Sequence, residues 1–362
     1  MIKQFNKLEN IKPADTAVYE RIMEIWDSIA KPLRGLGRFE EMIAQIGAVL
    51  HTDNVDIRRR AAVIMCADNG IVGEGVSQSG QDVTAAVAGW MGKDLSSVCR
   101  IAGGCGTDII TIDIGIDMEG SPEGVVNKKI RRGTADFLTE PAMSEEELMQ
   151  AVQVGTDIVG ECLDKGYTII ATGEMGIGNT TTSAAVCAAL LNLPADLVTG
   201  RGAGLDDSGF KKKKEIIEEA LLKYDFKGRT AVSREYAIKV LRTVGGLDIA
   251  GLAGVFIGGA LYNIPIVIDG FISAVAALAA ERLLPGTKDV MIASHLGREE
   301  GMGYVLRELG LKAVIDADMA LGEGTGALML FPLLDCALEL YKNGLRFEDT
   351  EVEQYKHFGK NI

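Results

Sequence analysis

Apolar residues recur at helical spacing over residues 17–30 and again over 38–50. The segment Lys31-Pro32-Leu33-Arg34-Gly35-Leu36-Gly37 breaks the two runs apart. From about residue 61 the texture changes. Short apolar runs at 61–67, 108–114, 167–172, 264–268, 290–293 and 312–317 now alternate with helical ones. Several are continuous rather than alternating, which predicts strands buried on both faces of a parallel sheet. One helix between them carries its own start and stop. Ser144 and Glu147 stand in the reciprocal positions of a capping box. Leu148, Ala151, Val152, Gly155, Ile158, Val159, Cys162 and Leu163 follow at helical spacing, and Gly166 ends the run. A helix of this kind between two apolar strands predicts a βαβ unit. After residue 331 the chain reads as helical to 342, then as a polar tail. The pattern predicts an α/β fold, doubly wound on a mainly parallel sheet with helices on both faces, over 61–330. Residues 1–60 together with 331–362 are expected to form a small helical subdomain beside it.

Composition changes this picture little. Of the 362 residues, 47% are hydrophobic and 44 are glycine without a collagen-like period, so the glycines belong mostly at turns and close contacts. The net charge of −14 argues against a broad nucleic-acid surface but leaves room for a local basic pocket. The six cysteines form no CxxC pair, and neither a zinc site nor a disulfide framework is read from them. The N-terminus has no apolar core of a signal peptide. The most apolar stretch, 245–284, is broken by Asp248, by Asn263-Ile264-Pro265 and by Asp269-Gly270. Nothing reaches the roughly 18 uninterrupted apolar residues of a membrane span. The expectation is a soluble cytoplasmic chain with neither nucleic-acid nor membrane partners.

Candidate chemistry gathers where the strands end. Asp68-Asn69-Gly70, Gly115-Ile116-Asp117, Asp269-Gly270, Ser294-His295 and Leu321-Gly322-Glu323-Gly324 each follow an apolar run. In open α/β sheets the ligand binds at the carboxyl ends of the strands. The segment 173–182, Gly-Glu-Met-Gly-Ile-Gly-Asn-Thr-Thr-Thr, joins a strand to a helix. Unpaired N–H groups at a helix start suit an anion. The segment has no Gly-Lys-Ser/Thr and lacks the third glycine of the dinucleotide fingerprint, so it is neither a Walker loop nor a Rossmann one. Spacing alone leaves anion site and structural turn about equal. The glycine loop 200–207 precedes Lys211, Lys212, Lys213 and Lys214, which read either as a solvated face or as phosphate ligands. One or two of them can face inward from a helix. Glu323, between two glycines, is either a turn residue or a general base in an apolar cleft. No serine occupies a nucleophile elbow beside His295, and no His, Asp or Glu cluster has metal-ligand spacing.

These loops, in this order, resemble the nicotinate-nucleotide–dimethylbenzimidazole phosphoribosyltransferases of cobalamin lower-loop assembly. The resemblance is carried by Lys31-Pro32 with Gly35-Leu36-Gly37-Arg38, Ala67-Asp68-Asn69-Gly70 with Glu74-Gly75-Val76-Ser77, and 173–182. It continues through 200–213, 244–254, Asp269-Gly270-Phe271, Ser294-His295 with Glu299, and 321–327. It implies transfer of the phosphoribosyl group of nicotinate mononucleotide to an aromatic base, with release of nicotinate and an α-linked product. It implies a homodimer and no metal or cofactor. By the family pattern Gly176 and Gly178, with Ile177, Asn179 and Thr180 between and beside them, would hold the donor phosphate, and Lys213 would add its charge. Glu174 and the Gly202-Ala203-Gly204 loop would lie against the ribotide. Glu323 would be the base, and Ser77 and Leu321 would line the pocket of the incoming base. Asn69, Ala85, Ala86, Gln78-Ser79-Gly80 and Ala320 depart from the pattern, and all but Ala320 belong to the base side. The acceptor is thus open among dimethylbenzimidazole, another benzimidazole, a purine and a phenolic compound. Two other readings compete: a silent or phenol-specific subunit of a heterodimer with the same fold, and a nucleotide hydrolase.

Overall fold

The computed structural model describes residues 11–202, 204–229 and 232–357. Its strands are β1 (Arg60–Ala67), β2 (Thr107–Gly115), β3 (Val126–Asn127), β4 (Ile169–Met175), β5 (Ile266–Ile268), β6 (Met291–Ala293), β7 (His295–Leu296) and β8 (Ile315–Asp316). Its longer helices are α1 (Thr16–Ser28), α2 (Arg38–Leu50), α3 (Asp82–Gly92), α4 (Ser97–Gly104), α5 (Glu145–Asp164) and α6 (Asn179–Leu191). They continue with α7 (Asp207–Lys223), α8 (Arg234–Val244), α9 (Leu247–Tyr262), α10 (Phe271–Leu283), α11 (Gly301–Leu309) and α12 (Thr325–Asn343).

The main sheet is parallel, with strand order β3-β2-β1-β4-β5-β6. The order reverses between β1 and β4, and ligands bind in the crevice at such a switch point. The alternation of a strand sorts its side chains between two cores. Ala61, Val63 and Met65 pack into one apolar cluster with α5, α9 and α10. Ala62, Ile64 and Cys66 pack into the other with the terminal helices α1, α2 and α12. All of β1 is buried, which explains why its run is continuous rather than alternating. The terminal helices therefore meet the sheet through a shared core, and α12 runs unbroken across residue 330, where the sequence placed a division.

The helix read from its caps forms as expected. The Ser144 side chain accepts from Glu147 N–H, Glu147 reaches back to Ser144 N–H at 2.7 Å, and Gly166 turns left-handed beyond the end.

Three expectations need correction. The run 312–317 does not join the main sheet. It shrinks to β8, which pairs in parallel with β7 in a separate two-stranded sheet, because Val314 N–H and Ile315 N–H both donate to the Ser294 carbonyl. Asp316 is exposed, so this strand is not buried on both faces. β4 extends to Met175, which moves Gly173 and Glu174 from the loop onto the strand. The last helix begins at Thr325 rather than 331; Gly326 and Pro332 hide its first turns from a propensity reading. The edge strand β3 is two exposed residues and left no apolar signal.

Candidate active site

A cleft of ≈ 260 Å³ opens at the carboxyl ends of the strands. Three walls form it. Gly176, Ile177, Asn179, Thr180 and Gly202 make one; Glu174, Met175, Leu321, Gly322 and Glu323 make a second; Gly270, Phe271, Ile272, Ser273 and His295 make a third.

The first wall is the start of α6. Gly178 caps it with φ +93°, and no side chain fills the cap. Gly176 leaves no room for a side chain. A Cβ there would overlap the Ala67 carbonyl and come 2.9 Å from Asp248 Oδ2. The turn is pinned to neighbouring elements, for Ile177 N–H donates to Thr84 Oγ1 at 3.1 Å and Asn69 Nδ2 to the Ile177 carbonyl at 3.4 Å. Lys213, from α7, reaches this point with its side chain fully buried. Its ammonium donates to Thr180 Oγ1 at 2.7 Å and has no ion-pair partner among the described residues. Burial lowers it to about 8, while Glu299 opposes that shift. A buried cation with no ion-pair partner among the described residues, at a helix start that carries positive potential, is a site prepared for an anion. Its neighbours in the lysine run point elsewhere: Lys211 and Lys212 are exposed, and Lys214 pairs with Asp196 at 2.9 Å.

The second wall holds a strained carboxylate. Gly322, Glu323 and Gly324 have φ of +81°, +61° and +87° in succession. For a glutamate this left-handed conformation costs energy and persists only where the surroundings impose it. Asp269, at the end of β5, imposes it. Its Oδ2 accepts from Gly324 N–H at 3.1 Å and its Oδ1 from Ala327 N–H at 2.9 Å, so it caps α12. Gly173 supplies the floor. Burial raises the Glu323 carboxyl, the Val98 N–H opposes the shift, and Asp269 adds to it. Glu323 Oε2 is buried and has no hydrogen-bond partner among the described residues. Glu174 stands close by, hydrogen-bonded by Asn179 Nδ2; burial, then Asp248 and Asp269, lift its carboxyl well above the usual range. A carboxylate with a raised pKa beside an anion site can accept a proton near neutrality.

The contact at Gly173 makes a direct prediction. A Cβ there would lie 2.8 Å from the Glu323 carbonyl carbon and oxygen and from Gly324 N. These are backbone atoms and cannot swing aside. Gly173→Ala should lower turnover about tenfold by displacing Glu323, with anion affinity nearly unchanged. Steady-state kinetics alongside phosphate titration would check it, and unchanged turnover would show that the loop does not depend on this floor.

Of the residues singled out in the sequence, Glu174, Gly176, Ile177, Asn179, Thr180, Gly202, Leu321 and Glu323 line the cleft. Gly178 and Lys213 stand directly behind it, through the α6 cap and Thr180. Leu321 is 53% exposed at its rim. Ser77 is not among the lining residues. It sits on a loop whose Gln78 Nε2 donates to the Gly204 carbonyl, and its hydroxyl accepts from Ser79 N–H. Gly204 lines an adjoining cleft instead. Ala203 lies outside the described residues.

Sequence reasoning missed the supporting groups Thr84, Asp248 and Asp269. Asp248 was read as a break in an apolar run and within the 244–254 stretch of the resemblance, and Asp269 as part of a strand-end Asp269-Gly270-Phe271 motif, but neither was given a role. The signal was there: a lone carboxylate inside an apolar helix must find partners or a function. Asp248 is fully buried, is pushed up to about 7 chiefly by that burial, and leaves Oδ2 unbonded beneath Gly176.

Comparison with known proteins agrees with this geometry. A phosphoribosyltransferase family model matches residues 11–352. The chain is 42% identical to a nicotinate-nucleotide–dimethylbenzimidazole phosphoribosyltransferase of Clostridium acetobutylicum, over 97% of this chain and 98% of the relative. It is equally similar to the protein of that name from Acetivibrio thermocellus, over 97% and 99% of the two chains. Among solved structures it is similar to CobT from Thermus thermophilus, with a TM-score of 0.87 and 33% identity, covering 94% of this chain and 100% of the other. The chain belongs to the nicotinate-nucleotide–dimethylbenzimidazole phosphoribosyltransferase family.

Proposed function

We propose that the chain transfers the phosphoribosyl group of nicotinate mononucleotide to dimethylbenzimidazole or a related base. The observation that carries this reading is the buried ammonium of Lys213 at the start of α6, without an ion-pair partner among the described residues and in reach of the cleft that holds Glu323. The donor phosphate binds the α6 N-terminus at Gly176 and Gly178, opposite Lys213. The ribose lies along Glu174 and Gly202. The acceptor enters past Leu321 at the rim. Its ring nitrogen attacks C1′, the bond from C1′ to the pyridinium nitrogen breaks, and that electron pair neutralises the leaving nicotinate. No general acid is needed for this departure. Glu323 takes the N–H proton of the azole. The rest of the rate comes from holding donor and acceptor in line.

The same reading places the protein in the cytoplasm as a homodimer. The homodimer is supported by large apolar side chains that are exposed among the described residues, Trp90, Leu95, Met329 and Leu333. Among the described residues no helix is long and apolar enough to cross a membrane.

The test is incubation of the purified chain with nicotinate mononucleotide and an acceptor panel of dimethylbenzimidazole, benzimidazole, adenine and p-cresol. Nicotinate release that depends on one acceptor is expected. No release with any of them would overturn the reading in favour of a silent subunit.

A further inference from the structure

The turn that opens α6 offers three successive N–H groups, on Gly176, Ile177 and Gly178, and they are not equivalent. Ile177 N–H donates to Thr84 Oγ1 at 3.1 Å, whereas neither Gly176 nor Gly178 donates its N–H to a group among the described residues. Thr84 stands in the first turn of α3 and is fully buried. Asn69, equally buried, holds the other end of the same residue, its Nδ2 donating to the Ile177 carbonyl at 3.4 Å. Neither Thr84 nor Asn69 lines the cleft.

A peptide unit is planar and trans, so its N–H and its C=O point in opposite directions. Thr84 fixes the unit between Gly176 and Ile177 by its N–H, while the Gly176 carbonyl at the other end accepts from Asn179 N–H at 3.1 Å. Asn69 fixes the next unit by its carbonyl, which turns Gly178 N–H away from Asn69. Close packing holds Gly178 in that attitude, for a Cβ on it would come 2.7 Å from Val72 Cγ2 and 3.2 Å from Asn69 Cβ. The middle donor of the turn is thus withdrawn and the two outer ones stay free, beside the Lys213 ammonium bonded to Thr180. A free N–H gives up only water to meet an anion, but a bonded one must first break its bond inside the protein.

We infer that Thr84 and Asn69 are positioning residues for the donor: they hold the Ile177 backbone so that Gly176 and Gly178, and not Ile177, present N–H groups to the phosphate. This inference rests on the phosphoribosyl-transfer reading. It moves Asn69 from the base side of the site, where the family pattern puts it, to the donor side. It also leaves Ile177 only its side chain as a contribution to the cleft wall.

Thr84→Val keeps the shape of the side chain and deletes the hydroxyl. It should raise the KM for nicotinate mononucleotide and the Kd for ribose 5-phosphate about tenfold, with kcat and the KM for the acceptor near those of the parent, and Thr84→Ser should restore both. No change in a folded Thr84→Val would overturn the inference, as would a loss spread equally over kcat and both KM values. Amide hydrogen exchange in the parent needs no variant to fold. Without ligand the Ile177 amide should be protected and the Gly178 amide should not; ribose 5-phosphate should slow Gly178 and leave Ile177 as it was. An Ile177 amide that exchanges freely until ribose 5-phosphate is added would overturn the inference too. Failure of the parent to bind ribose 5-phosphate would instead overturn the donor site itself, and the inference with it.

Discussion

Glu323→Gln is expected to bind nicotinate mononucleotide as the parent does and to turn over about 10²- to 10⁴-fold more slowly. The change keeps size and shape and removes only the capacity to take a proton. Glu323 does not touch the anion wall, so donor affinity has no reason to fall. Its backbone stays fixed in the left-handed region by Asp269 and Gly173, which the substitution leaves intact. The parent carries a second signature. The base works only when ionised, and burial raises its carboxyl. Turnover in the parent should therefore decline on the acid side at a pH above the ordinary glutamate range, and Glu323→Gln should lack that limb. A variant that turns over like the parent would remove Glu323 as the base and leave Glu174 as the remaining carboxyl on that wall.

Lys213→Met is expected to weaken donor binding about 100-fold, since it deletes the charge that faces the phosphate along with its hydrogen bonds. Titration at several pH values would strengthen the case. Free Lys213 loses its proton near pH 8. Donor affinity in the parent should fall as pH rises through that value, and the affinity of Lys213→Met should not. Stability moves the other way. An unfolded lysine titrates at about 10.4, so between about pH 8 and 10.4 the unfolded chain binds more protons than the unliganded fold. The unliganded parent should gain up to about 3 kcal/mol across that window, with no contribution to the slope from this group below it, where both states are charged, or above it, where both are neutral. Denaturant melts at pH 7.5 and pH 10 would read the difference. A gain of equal size in Lys213→Met would mean that other groups produce it.

Much of the site was legible one loop at a time. The glycines of 173–182 and the Gly-Glu-Gly at 322–324 mark positions where backbone must turn sharply or approach closely, and that requirement is local. The lysine run was legible as a run but not as a choice. Helical geometry allows one or two of four adjacent residues to face inward, and only the packing of α7 against α6 buries Lys213. Ser77 shows the opposite limit. Its loop carries family-like residues, yet in this chain the loop is tied to Gly204 through Gln78 and stays out of the cleft lining.

By itself the sequence determined the alternation of strands and helices, the capped helix α5, the helices α1 and α2 and the family. The elements are set by local periodicity and by glycine, whose effects do not depend on distant partners, and the family was read from the resemblance of the loops. The tertiary structure alone decided that β1 and β4 lie side by side, which creates the crevice at the switch point. It alone placed β8 with β7 rather than in the main sheet. It alone brought Asp269 to the start of α12, 55 residues along the chain, to hold Glu323 in place. Strand order and buried hydrogen bonds are contacts between residues far apart in sequence, and no short-range pattern encodes which of several compatible partners will meet.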